Sequence, residues 1–157
     1  MGGIKRVLLA NQADVATVTV TSNQITGITM ESSKKFKEYL FRLQTGSLAS
    51  TYQVSAENGT QWVQTLLTMV FHRLETTKRV EVMAMAQADL YAIVEDMNGK
   101  YWFLGYENPL FLNAADAQTG TARGDRSGYS VTLEDDSLEL PYEVLTGTGG
   151  VDISSLL

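Results

Sequence analysis

The stretch that most limits what this chain can become runs from Ala88 to Tyr106, ADLYAIVEDMNGKYWFLGY. Two apolar runs, Leu90 to Val94 and Tyr101 to Leu104, flank Asn98-Gly99. Asn and Gly tolerate positive φ, which a two-residue type I′ turn demands. The flanks are rich in β-branched and aromatic residues, so they read as paired antiparallel strands. Period-two spacing puts Leu90, Ala92 and Val94 on one face and Tyr91, Ile93 and Glu95 on the other. In the second strand Tyr101 and Phe103 oppose Trp102 and Leu104. Both faces are largely apolar, so the hairpin belongs between two layers or against a neighbouring subunit.

The segments before the hairpin are also β-like. Ile4 to Ala10 is apolar after a single Lys-Arg pair, but it is short, lacks a small-residue cleavage site, and reads as no export signal. Val15 to Thr21 favours strand or an extended arm, and Gly27 interrupts a second such run from Ile25 to Met30. In Phe36 to Leu43, Tyr39, Phe41 and Leu43 alternate with Glu38, Leu40 and Arg42, which predicts a strand; a short helix with Phe36, Leu40 and Leu43 on one face is the alternative. Ser50 to Ser55 predicts a short strand ending at Glu57-Asn58-Gly59. The longest alternation, Trp62 to Leu74, sets Val63, Thr65, Leu67, Met69 and Phe71 inward and Gln64, Leu66, Thr68, Val70 and His72 outward; a helix is the alternative, because Leu and Met are good helix formers, and the Thr and Val content and the preceding Asn-Gly favour strand. Thr76 to Ala86 predicts the one helix, about three turns long, capped by Thr76 or Thr77, with Val80, Met83, Ala84 and Gln87 on one face.

After the hairpin, Asn108-Pro109 breaks the pattern and Leu110 to Leu112 resumes it. Asn113 to Gly124 is small and polar and reads as a long exposed loop. Gly128 to Leu133 predicts a core strand with Tyr129, Val131 and Leu133 on one face, and Glu134-Asp135-Asp136 its solvated end. Leu138 to Val144 contains Pro141, which suits an edge strand or docked arm. The fold class expected is therefore mainly β: an antiparallel β-sandwich or half-barrel with one short α-helix and extended terminal arms. It forms one domain over 1–157, with a core of about 25–145, an N-terminal arm or edge strand over 1–24 and a flexible C-terminal arm over 146–157.

Chemistry is scarce in this sequence. There is no cysteine, so thiol catalysis and Cys-ligated zinc are excluded. The only histidine, His72, has Glu75 three residues on as its nearest carboxylate in sequence and no Ser nucleophile motif beside it; there is no G-x-S-x-G elbow, P-loop or G-x-G-x-x-G. The carboxylate clusters Glu95-Asp96 and Glu134-Asp135-Asp136 lack EF-hand spacing. No catalytic residue, cofactor site or metal site is assigned. Arg123-Gly124-Asp125 is read as part of a polar loop in which Arg123 and Arg126 reach a neighbour. Trp62 and Trp102 fit core or interface packing, or a sugar-stacking platform. No apolar run approaches the roughly 20 residues of a membrane span. The formal net charge of −6 is the wrong sign for gripping a nucleic-acid backbone.

Gln61 to Val144 carries a resemblance. The segments QWVQTLLTMVF, TKRVEVMAMA, ADLYAIVEDMNGKYWFLGYENPLFL and TGTARGDRSGYSVTLEDDSLELPYEV look like a tail tube protein of long-tailed phages, among structural proteins of phages infecting Bacteroidetes-type gut bacteria. The resemblance implies a virion protein made in the host bacterial cytoplasm and built into stacked hexameric rings. It would contact other tail or neck proteins, and DNA would cross its lumen without specific binding. Read this way, Glu95, Asp96, Glu134, Asp135 and Asp136 are the candidate lumen acids, and Trp62, Tyr101, Trp102, Leu104, Arg123 and Arg126 the candidate subunit interface. A head–tail connector, tail terminator or capsid decoration protein is the alternative within virions. A carbohydrate-binding β-sandwich or a hydrolase with scattered carboxylates is the alternative outside them.

Overall fold

A computed structural model describes residues 2–41 and 45–157. The chain is mainly β, a sandwich of two sheets with one helix. Its strands are β1 (Ile4–Asn11), β2 (Val15–Thr21), β3 (Gln24–Met30), β4 (Lys37–Leu40), β5 (Gly46–Ser55), β6 (Thr60–His72), β7 (Leu90–Asp96), β8 (Tyr101–Leu104), β9 (Phe111–Gln118), β10 (Gly128–Ser137) and β11 (Tyr142–Val144). The helix α1 (Thr76–Ala86) lies between β6 and β7. One sheet has seven strands in the order β2-β3-β11-β8-β7-β1-β4; the other has four, β5-β6-β10-β9. Neighbours pair antiparallel except β11 with β3, which are parallel.

The central hairpin is β7–β8, and its two apolar faces are both covered within the chain. Leu90, Ala92, Val94 and Leu104 enter the core between the sheets with Val7, Leu67, Met69, Val131 and Leu133. Ile93 and Phe103 enter a second core with Leu8, Ile25, Phe36, Val144, Val151, Ile153 and Leu156. No neighbouring subunit is needed to bury this hairpin, and Leu104, at 0% exposure, is core rather than interface.

Within the N-terminal stretch Val15–Thr21 is an edge strand, as expected, but β1 before it is internal, and the second core holds the expected C-terminal arm against the domain. Ile4–Asn11 is an internal strand between β7 and β4, with Val7 and Leu8 fully buried. The apolar run of Val7, Leu8, Leu9 and Ala10 fits a strand buried on both faces. At the other end, Val151, Ile153 and Leu156 pack on the domain, and the Phe36 N–H donates to the Leu156 carbonyl at 2.8 Å. These apolar residues are spread among Gly, Thr and Ser without a regular period, which hides them from a pattern search. Pro141 precedes β11, which is internal between β3 and β8 rather than at an edge.

Local details differ from expectation in instructive ways. The Asp96 N–H donates to the Lys100 carbonyl, leaving Met97-Asn98-Gly99 as a three-residue loop in which only Gly99 has positive φ. This is a type I turn closed by a left-handed glycine, not a type I′ turn. The Asp96 carboxylate selects it by accepting from the Asn98 and Lys100 N–H groups. A two-residue turn with both φ positive does occur, at Ser22-Asn23 between Thr21 and Gln24.

The helix spans the expected residues, but its buried face carries Val82 and Met85, while Val80 and Met83 are exposed. In β4 and just beyond it, Tyr39 and Phe41 stack on Phe71, with ring centroids 5.5 and 5.9 Å apart. The expected continuation through Arg42 and Leu43 lies outside the described residues.

Candidate functional site

The four-stranded sheet is unusual in its charge. Among β5, β6, β9 and β10 there is no Lys or Arg, whereas Asp116, Glu134, Asp135 and Asp136 are all acidic. Its inner face is set by the β6 alternation: Val63, Thr65, Leu67 and Met69 are fully buried. Register then assigns the outer face. Leu66 lies opposite Ala49 and Glu134, and Gln64 opposite Thr51 and Asp136.

A hydrogen-bonded row crosses all four strands on this outer face. Gln53 on β5 donates to Gln64 on β6 at 3.4 Å, and Gln64 donates to Glu134 on β10 at 2.7 Å. Asn113 on β9 donates to the other oxygen of Glu134 at 2.6 Å. Within the ladder, Gln53 pairs with Trp62 and Gln64 with Asp136, so these side chains meet diagonally, which long side chains can do across a sheet. Glu134 is 8% exposed, and the two amide donors satisfy one acceptor site on each of its oxygens.

Among the described residues no further strand pairs with either edge of the sheet, although α1 lies against β9. The β5 edge, GSLASTYQVS, has ten residues with no charge and no proline. The β9 edge, FLNAADAQ, carries a single charge, Asp116. Soluble proteins ordinarily blunt such edges with Lys, Pro or a covering segment. Three antiparallel steps separate β5 from β9, so the two edges run in opposite directions. β9 corrects the loop expected from Asn113 onward: its side chains are mostly exposed, so no apolar alternation marks it, and pairing with β10 makes the strand.

Beyond the end of β10, the β5–β6 hairpin overhangs. Thr60 to Trp62 pair only with β5, and Val54 is 70% exposed there. Tyr52, Trp62, Leu138 and Leu140 add exposed apolar surface at the same end.

Next to that end lies a cleft of about 20 Å³, room for about one water, lined by Gly105, Glu107, Asp135, Glu139 and Tyr142. Asp135 continues the inward face of Val131 and Leu133, so it is 4% exposed rather than part of a solvated strand end. One of its oxygens accepts from the Gly105 N–H at 3.1 Å; the other has no protein partner. Burial pushes its carboxyl up to about 6; the Gly105 bond opposes the shift, and the charges of Asp136 and Glu107 add to it.

The structure therefore divides the candidate acids. Glu134 and Asp136 share the outer face of the four-stranded sheet. Glu95 and Asp96 belong to the other sheet, where Glu95 is buried against Arg6 and Lys5. The Arg6 guanidinium also reaches Glu38 at 2.8 Å and the Tyr101 hydroxyl at 2.8 Å. Asp96 is a turn residue. Burial is the largest single influence on its carboxyl and opposes ionisation, but donors from Lys100, Trp102 and Asn98 together hold it below the usual range.

The candidate interface residues are equally dispersed. Trp62 pairs with Gln53, whereas Trp102 borders Ser47 and Leu48, five to six residues along β5 and so roughly 17–20 Å away. They form no joint platform. Arg123 and Arg126 are exposed on the loop before β10; its Asp125 turns inward to accept from Thr121 and Ala122. His72 is exposed, and no cluster of metal-ligating side chains occurs among the described residues. The Gln53, Gln64 and Asn113 row had only one sequence signal, the absence of any cation from β5 through β6.

The chain matches no protein-family model, no curated protein and no solved structure.

Proposed function

We propose that the chain is a structural subunit that assembles side by side into hexameric rings, which stack as a phage tail tube. The phage identity and the number six rest on the resemblance of residues 61–144. One observation of the fold carries the assembly: a four-stranded sheet whose two nearly uncharged edge strands pair with no further strand among the described residues and run in opposite directions. If β9 of one copy adds to β5 of the next, the sheet continues antiparallel from subunit to subunit, and head-to-tail repetition closes a ring.

The dimensions are compatible with a conduit. Six such sheets, at about 4.8 Å per strand and a tilt of about 40°, close a barrel roughly 45–50 Å across between backbones. Barrels of 16 to 18 strands already leave an aqueous channel. With the outer face of the four-stranded sheet lining it, the wall would present Asp116 and Asp136, with Glu134 largely covered beneath its amide partners, and no strand cation, so a phosphate backbone finds nothing to grip. The exposed apolar end formed by Val54, Trp62, Leu138 and Leu140 supports stacking along the axis.

Negative-stain imaging of the purified chain at rising concentration tests this. Rings and tubes are the expected outcome. Single rings that never stack would move the reading to a connector or tail terminator. A folded chain that stays monomeric at every concentration, alone or on a tail-tip nucleus, overturns it.

A further inference from the structure

We propose that Gln53 of one copy bonds Asn113 of the next, closing the polar row into a continuous belt around the lumen and fixing the register of the joined sheet. The inference rests on the ring reading above and adds to it the contact that sets alignment between subunits.

The row ends at the two edge strands, Gln53 on β5 and Asn113 on β9. Each is an amide with a carbonyl oxygen and two N–H groups, and each commits one N–H inside its own subunit. Gln53 gives its donor to Gln64, and Asn113 gives its donor to Glu134. Each therefore retains an acceptor and a donor, and two amides that meet with both left over satisfy one another in either direction. No like charges are brought together.

Register is the problem this contact solves. A backbone ladder alone permits slips, and a slip of one residue turns every side chain to the opposite face. The outward residues of β5 are Ser47, Ala49, Thr51, Gln53 and Ser55, placed by their pairing with outward residues of β6. Gln53 is the one long side chain among them, so it alone can reach diagonally across a boundary. Inside the subunit every step of the row is diagonal and moves toward the His72 end of β6, and the same step across the boundary, counted past the bulge at Asn113, sets Gln53 opposite Asp116, within reach of Asn113.

The test is a double-mutant cycle on the full chain, with Gln53→Ala, Asn113→Ala and the pair, read as the critical concentration for assembly by sedimentation. Within one subunit the two residues lie on opposite edges, three strand spacings across and about six residues along the strands, roughly 25 Å apart; as members of one hydrogen-bonded row they can couple in the monomer, and the same cycle in denaturant melts measures that coupling so that it can be subtracted. In assembly, each single change should raise the critical concentration roughly tenfold, and the pair little more than either alone. Denaturant melts of each variant below its critical concentration separate folding from assembly. Rings that form with additive effects overturn the belt and leave the ring reading intact. An unsubstituted chain that never assembles overturns both.

Discussion

Asp135→Asn should stabilise the protein at neutral pH and do almost nothing in acid. Asp135 is buried on the inner face of β10, opposite the buried Thr65 whose hydroxyl bonds Ser50 at 3.0 Å. Only one carboxylate oxygen has a partner. Its pKa is raised to about 6, so the folded state holds the proton more tightly than the unfolded chain, where the value is near 3.9. Below about pH 4 both states are protonated and the group contributes no pH dependence. Between about 4 and 6 the unfolded chain releases the proton first, so stability falls as pH rises. Above about 6 the full cost of a buried carboxylate remains.

At 1.36 kcal/mol per unit, a shift of about two units caps that cost near 3 kcal/mol. A water in the adjoining cleft would solvate the charge and bring the cost toward about 1–2 kcal/mol. Asparagine keeps the acceptor for Gly105 and removes the charge. The variant should gain about 1–3 kcal/mol near pH 7.5, or about 2–10 °C in Tm, and less than about 0.5 kcal/mol near pH 4. Urea melts of monomer at several pH values measure both curves. A difference between variant and parent that stays constant from pH 4 to 7.5 would refute the assignment of this carboxyl as a buried, proton-holding group.

Other changes probe separate parts of the structure. Ala49→Lys places a charge on the β5 edge; it should abolish ring formation in sedimentation while altering monomer stability by no more than about 0.5 kcal/mol. Arg6→Ala strands the buried Glu95 carboxylate and should cost about 3–5 kcal/mol in denaturant melts, more than Lys5→Ala, whose side chain is largely exposed. Gly128→Ala should prevent folding as judged by circular dichroism, because φ is +154° and a Cβ would lie 1.9 Å from the Phe71 carbonyl oxygen. Leu156→Ala should cost about 2–4 kcal/mol, and hydrogen exchange on the monomer should show Ile4–Asn11 protected; a freely exchanging β1 would contradict its place inside the sheet.

Much of the fold is legible where one face of an element is buried and the other is wet. The alternation of β6, the span of α1 and the two faces of β7–β8 can all be read from residue order, because local periodicity and burial coincide there. The same period could have revealed Asp135: Tyr129, Val131 and Leu133 share its parity, and the inward face simply runs one residue pair past the last apolar side chain. Reading the acids as a solvated end treated charge as stronger evidence than phase.

What residue order leaves open depends on partners distant in the chain. A segment such as Val151 to Leu156 has no period of its own, and it is buried because the second face of β7–β8 needs a cover that Phe36 and Ile25 only partly provide. β9 is a strand because β10 offers it a ladder, although its exposed side chains carry no apolar signal. Gln53, Gln64, Glu134 and Asn113 become one row only through the registers of three strand pairs. Register is fixed by packing across the whole sandwich, and a one-residue change in any of those pairs would move a member of the row to the opposite face.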